Sequence, residues 1–86
     1  MKKSTIQKRV INIITTILDY KGSIDSTTHL HRDLGIDSLD DLVISQEIEK
    51  VFLINLSQED VKVIMSGTVE DMVNFIDKFL QGFDSK

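Results

Sequence analysis

Apolar residues recur at three- and four-residue steps in several stretches of the chain. In the first, Ile6, Val10, Ile13, Ile14, Ile17 and Leu18 form one stripe over four turns, the spacing of a helix with one buried face. Ser4, with Gln7 three positions on, reads as a capping box, and Gly22 reads as a left-handed stop after Tyr20 and Lys21. Ile, Val and Thr favour strands, but strict alternation is absent, so a helix is expected. A second helix opens at Asp37 and Ser38. Asp37 caps it, Asp40 adds charge to its first turn, and Leu39, Ile44, Ile48, Val51 and Phe52 are expected on its buried face. Leu42 and Val43 lie off the centre of that face, so at least one should be exposed. A short third helix is expected from its cap Ser57 through Val61, Ile64 and Met65, broken by Gly67. The last helix has Thr68 as cap, Asp71 at the third position, Met72, Phe75, Ile76, Phe79 and Leu80 as its stripe, and Gly82 as its stop. Residues 22–36 carry no strong period and read as a long loop held to the core by Leu30 and Leu34. The expected fold is an all-α four-helix bundle in one domain, residues 1–86. It has three longer helices, a short third helix, and a long loop between helices 1 and 2.

Composition narrows the picture. The chain has 86 residues, 41% of them hydrophobic, with no Cys, Pro or Trp. A chain this small buries only about 60% of its unfolded surface. Without Cys it has neither disulfides nor Cys-based metal sites, so packed aliphatic side chains must stabilise it. The net charge of −4 argues against a nucleic-acid binder, which would carry a basic footprint. The charge is uneven. Residues 1–21 hold five bases against Asp19 alone, whereas Asp33 to Asp60 holds eight acids against Lys50 alone. Met1-Lys2-Lys3 resembles the start of a signal segment, but Val10 to Leu18 is interrupted by Asn12, Thr15 and Thr16, and no small-residue cleavage site follows. The longest unbroken apolar run, Val51 to Ile54, is far below the ~20 residues of a membrane span. A soluble, cytoplasmic protein is expected.

Most catalytic patterns are missing. There is no G-x-S-x-G elbow, no phosphate-cradling glycine loop and no H-E-x-x-H. His29-Leu30-His31 lacks the further ligands of a metal site, and the acidic stretch from Asp25 to Asp41 fails the calcium-loop spacing. Ser38, His31 and Asp33 supply the residue types of a serine hydrolase but no oxyanion-hole motif.

What remains is Asp33-Leu34-Gly35-Ile36-Asp37-Ser38-Leu39. Gly35 permits a tight bend, Asp37 caps, and Ser38 falls at the first helical position with its hydroxyl toward solvent. Free N–H donors and the helix dipole converge there, so an anionic group on Ser38 is tolerated, although Asp37 opposes it.

This segment resembles the phosphopantetheine attachment site of acyl carrier proteins in six specified positions, D-L-G-x-D-S-L. The resemblance runs on. Leu30 stands where the family has a loop hydrophobe, Ile48-Glu49-x-x-Phe52 is similar to its L-E-x-x-F, and Thr68-Val69-Glu70-Asp71 is similar to the start of its last helix. It implies an acyl-carrier-like bundle and a stand-alone carrier for fatty acid or related lipid or polyketide biosynthesis. A phosphopantetheinyl transferase would attach 4′-phosphopantetheine from coenzyme A to Ser38, flanked by Asp37 and Leu39, and the arm's thiol would carry the acyl thioester. The protein itself would be no enzyme; it would present the cargo as a monomer.

The resemblance also implies a recognition face for acyl-transfer and elongation enzymes with basic patches. Its residues would be Asp37, Asp40, Asp41, Leu42, Glu47 and Glu49, working through salt-sensitive steering. Ile44, Ile48, Ile64, Met65, Phe75 and Ile76 are candidates to line an acyl cavity, or simply to fill the core. The chain departs from the family at Val43, where many members have Glu. It departs also at Ser45 and Gln46, more polar than usual, at Ser57, where Pro is common, and at the turn Met65-Ser66-Gly67. These departures bear on the partner set. The alternatives are an aminoacyl or peptidyl carrier, or an unmodified helical interaction module.

Overall fold

The structure is a computed structural model. It describes the backbone of residues 1–84 and the side chains of residues 1–82. Five helices follow in order: α1 (Lys3–Leu18), α2 (Leu30–Leu34), α3 (Ser38–Phe52), α4 (Gln58–Met65) and α5 (Val69–Asp84). The fold is all-α, with three long helices and a short α4, as the periodicity predicts. The addition is α2, one five-residue helix inside the long loop.

Helix α1 packs against α3 and α5, and α4 packs against α3 and α5. The core is one cluster. It takes Ile6, Val10, Ile13 and Ile14 from α1, Ile44, Ile48 and Phe52 from α3, Ile64 and Met65 from α4, and Val69, Met72, Val73 and Ile76 from α5. Leu30 joins it from α2, Ile36 and Ile54 join it from the connections, and Leu34 packs at its edge. Aliphatic burial of this kind contributes about 1.5–3 kcal/mol per large side chain.

The long loop is held by backbone bonds to the start of α5. Leu30 N–H donates to Gly67 O at 3.0 Å, Val69 N–H to Thr28 O at 2.9 Å, and Glu70 N–H to Ser26 O at 2.9 Å. His29 and Thr68 form an isolated antiparallel bridge. This stitch fixes the approach to α3 against the far end of the sequence.

Three of the expected helix boundaries differ. Ser4 lies inside α1, whose cap is Lys2, and Lys2 makes no side-chain capping bond. With the helix already begun at Lys3, Ser4 is not at the cap position and its side chain cannot close a capping box. The stop of α1 is Asp19, at φ 51°; Asp tolerates the left-handed region, and the helix ends before Gly22. Helix α5 continues through Gly82 to Asp84, since a single helical glycine costs only about 1 kcal/mol. A fourth expectation, Leu39 on the buried face, also fails: Leu39 is 71% exposed. It stands nine residues before the buried Ile48, which at about 100° per residue is half a turn away.

Candidate functional site

The site is built by the end of the long loop and the first turn of α3. Helix α2 is capped by His29, whose Nδ1 accepts from Arg32 N–H at 3.1 Å. Asp33 closes the same turn by accepting from His29 N–H at 2.8 Å. That hydrogen bond, followed by the Arg32 charge, holds the Asp33 carboxyl below the usual carboxylate range. Gly35 ends α2 at φ 66°, with its N–H on His31 O at 3.0 Å. The left-handed turn at this position is one glycine adopts without steric cost. Ile36, 6% exposed, anchors the next residue in the core.

Asp37 then caps α3. Its Oδ1 accepts from Asp40 N–H at 2.9 Å, and Asp40 Oδ2 accepts in return from Asp37 N–H at 3.4 Å. Ser38 occupies the first helical position and is exposed. Among the described residues its hydroxyl makes no hydrogen bond. The first-turn N–H groups of Ser38 and Leu39 have no intrahelical partner, so donors face the same end of the helix as the hydroxyl.

The loop and α3 are also joined through side chains. His31 Nε2 lies 2.8 Å from Asp41 Oδ1, both partly exposed. The two histidines therefore have structural partners, one as cap and one on α3. Among the described residues no three His, Asp or Glu side chains gather as a metal site would require.

Sequence reasoning grouped six residues as a recognition face, and the structure distributes them. Asp37 and Asp40 form the capping box, and Asp41 pairs with His31. Glu47 is 3.9 Å from Lys50 Nζ. Glu49 accepts from Leu56 N–H at 2.7 Å and so closes the turn after α3. Leu42 is exposed, and so are its neighbours Leu39 and Val43. The outward ridge of α3 near Ser38 is thus apolar, with the acids on its flanks. Leu39 and Val43 are the members of this face that charge-based reading missed; a helical wheel would have put them together.

The departures have local uses. Ser57 caps α4 in a reciprocal box with Asp60. Ser45 is buried and donates its hydroxyl to Leu42 O at 2.9 Å. Ser66 bonds Val63 O at 2.8 Å in the turn after α4. Of the acyl-cavity candidates, Ile44, Ile48, Ile64, Met65 and Ile76 are buried together. Phe75 is half-buried, with its ring 6.3 Å from that of Phe79. A separate surface groove of about 300 Å³ lies between α1 and α3, lined by Asn12, Ile13, Thr16, Ile17, Glu47 and Val51.

An exposed, unengaged serine hydroxyl at a helix start fits an attached phosphate ester better than a catalytic role. Among the described residues Ser38 Oγ makes no hydrogen bond to either histidine; His31 bonds Asp41 and His29 accepts from Arg32 N–H. Among the described residues no helix is long and apolar enough to cross a membrane. Residues 8–76 match the family described as "Phosphopantetheine attachment site". The acyl carrier protein of Phytoplasma australiense is 40% identical over 76 residues, covering 83% of this chain and 97% of the relative. That of Onion yellows phytoplasma (strain OY-M) is 39% identical over 72 residues, covering 83% and 92%. That of Porphyromonas gingivalis is 32% identical over 79 residues, covering 91% and 99%. The similarity is to these relatives over nearly their whole length, and the chain belongs to the acyl carrier protein family, helical carriers with a covalently attached 4′-phosphopantetheine.

Proposed function

We propose that Ser38 is the attachment residue and that residues 1–86 act as one carrier domain. The observation that carries this reading is the exposed Ser38 hydroxyl, free of hydrogen bonds among the described residues, at the capped start of α3. In the modification, Ser38 Oγ loses its proton and forms a phosphoester bond to the phosphopantetheine phosphorus, while the pyrophosphate P–O bond of coenzyme A breaks and adenosine 3′,5′-bisphosphate leaves. The attached arm supplies the thiol on which an acyl group is held. The chain's own residues do the positioning. Asp37 and Asp40 fix the first turn, Gly35 sets the bend before it, and the N–H groups of Ser38 and Leu39 favour the ester's negative charge. The chain makes and breaks no bonds in its cargo.

The partners in this reading are a phosphopantetheinyl transferase and the acyl-transfer and elongation enzymes, met on the α3 face. Asp40 and Glu47 flank that face and suit basic residues on an incoming enzyme. An acyl chain entering between α3, α4 and α5 would meet Ile44, Ile48, Ile64, Met65, Phe75 and Ile76, all apolar. A radius of gyration of 12.0 Å is about that of one compact domain of this length. The compartment is one that holds coenzyme A, the cytoplasm.

Incubating the chain with coenzyme A, magnesium and a phosphopantetheinyl transferase should add one phosphopantetheine to the intact mass. The variant Ser38→Ala should stay unmodified. A native chain that gains nothing with several transferases, or a Ser38→Ala variant that gains as much as the native chain, would sink the reading.

A further inference from the structure

The exposed ridge of α3 extends well past the Ser38 end. Residues 39, 42, 43, 46, 50 and 53 follow one another at one-, three- and four-residue steps. They line a single face over roughly 20 Å of helix. Leu39, Leu42 and Val43 occupy its near end, and Leu53 its far end, with exposures of 71%, 55%, 45% and 87%.

Leu53 is the anomaly. It ends α3 at φ 56°, ψ 48°, the left-handed region that disfavours side chains and suits Gly or Asn. Its capping bond, N–H to Glu49 O, is a backbone bond that any non-proline residue would supply. Among the described residues its side chain is the most exposed of the large hydrophobic ones. The neighbouring Ile54, 4% exposed, does the anchoring in the core. A leucine here therefore goes against both its backbone preference and its solvation, and the fold itself draws nothing from it. Residues held against local preference cluster where a binding event uses them. Lys50 is the second anomaly. It is the one base between Asp33 and Asp60, it sits in the ridge rather than on a flank, and its side chain is 79% exposed.

We propose that Leu53 is a second docking anchor for the enzymes that act on this carrier. The partner surface would be apolar at both ends of α3, with an acidic group opposite Lys50 and basic groups beside Asp40 and Glu47. The proposal rests on Ser38 as the attachment residue, because that brings each enzyme to the near end of the same ridge. The charge pattern then commits the partner's chemistry: acids flank the ridge and one base interrupts it.

The test compares the full chain with Leu53→Asn, Leu53→Gly and Lys50→Glu. It measures phosphopantetheine transfer by the host's transferase and acyl loading of the holo protein by a host acyl-transfer enzyme. Both Leu53 variants should raise the thermal midpoint, because Asn and Gly accept the left-handed backbone. With at least one of the two enzymes they should also raise KM about fivefold or more, the loss expected of an interface anchor. The kcat should stay unchanged, since the side chain is remote from Ser38. Lys50→Glu should raise KM with the same enzyme. A KM within twofold of native for both Leu53 variants and both enzymes overturns the anchor. A fall in KM for Lys50→Glu overturns the acidic counterpart. If the native chain takes up no phosphopantetheine, the Ser38 reading fails and this proposal fails with it. Native uptake with unchanged KM defeats this proposal alone.

Discussion

The Asp37 side chain has two tasks at one place: it caps α3 and it flanks Ser38. Its Oδ1 satisfies Asp40 N–H, and losing such a cap costs about 1 kcal/mol. Asp37→Ala should therefore lower the thermal midpoint by roughly 4–8 °C, whereas Asp37→Asn, which keeps an acceptor, should lower it much less. Equal melting of the two variants would mean that the charge, and not the cap, matters. The caps Asp37, Ser57 and Thr68 were readable in the sequence, and each forms a reciprocal pair, with Asp40, Asp60 and Asp71. Ser4 and Gln7 spell the same pattern without forming it, because α1 already begins at Lys3 and Ser4 is not at the cap position. Leu39 was misplaced for a different reason. Hydrophobicity suggested burial, while phase relative to Ile48 dictates exposure, and phase decides when the two conflict.

Among the elements, α2 is the one that the pattern of residues did not reveal. Five residues give too few positions for a period to emerge. What organises the segment is a set of local polar bonds, which a hydropathy reading does not weigh. Asp25 belongs to the same set. Hydrogen bonds from the Thr27 hydroxyl, then from Thr27 N–H, and also from Thr28 hold its carboxyl below the ordinary range. Asp33 is lowered by His29 N–H and then Arg32. Both values are depressed in the folded state. Their contribution is therefore complete above the unfolded carboxylate range, near pH 4. It is lost as pH falls through the lower folded values. The thermal midpoint should drop on acidification below about pH 4, and the double variant Asp25→Asn, Asp33→Asn should flatten that drop. An unchanged acid slope in the double variant would show that these two carboxylates do not set it.

At the scale of the molecule, the sequence shows which faces are apolar but not which helix meets which. The pairing of α1 with both α3 and α5 is a result of packing between distant segments, and local patterns carry no trace of it. The attachment motif was legible because its residues are contiguous. The apolar positions of the ridge beside it were not, because they are spread over α3 and mixed with acids whose side chains serve the fold.

The bonds from residues 26–30 to residues 67–70 also order events in time. A chain is made from its N-terminus, so the residues of α3 are made before the segment that braces its approach. The attachment end takes its final form only after α5 has been made and docked. A modifying enzyme that reads this form would act on finished chains, and acyl groups would be spared from loading onto nascent ones. Chains stopped after Ser66 should accordingly be poor acceptors of phosphopantetheine, and acceptance equal to the full chain would remove this ordering.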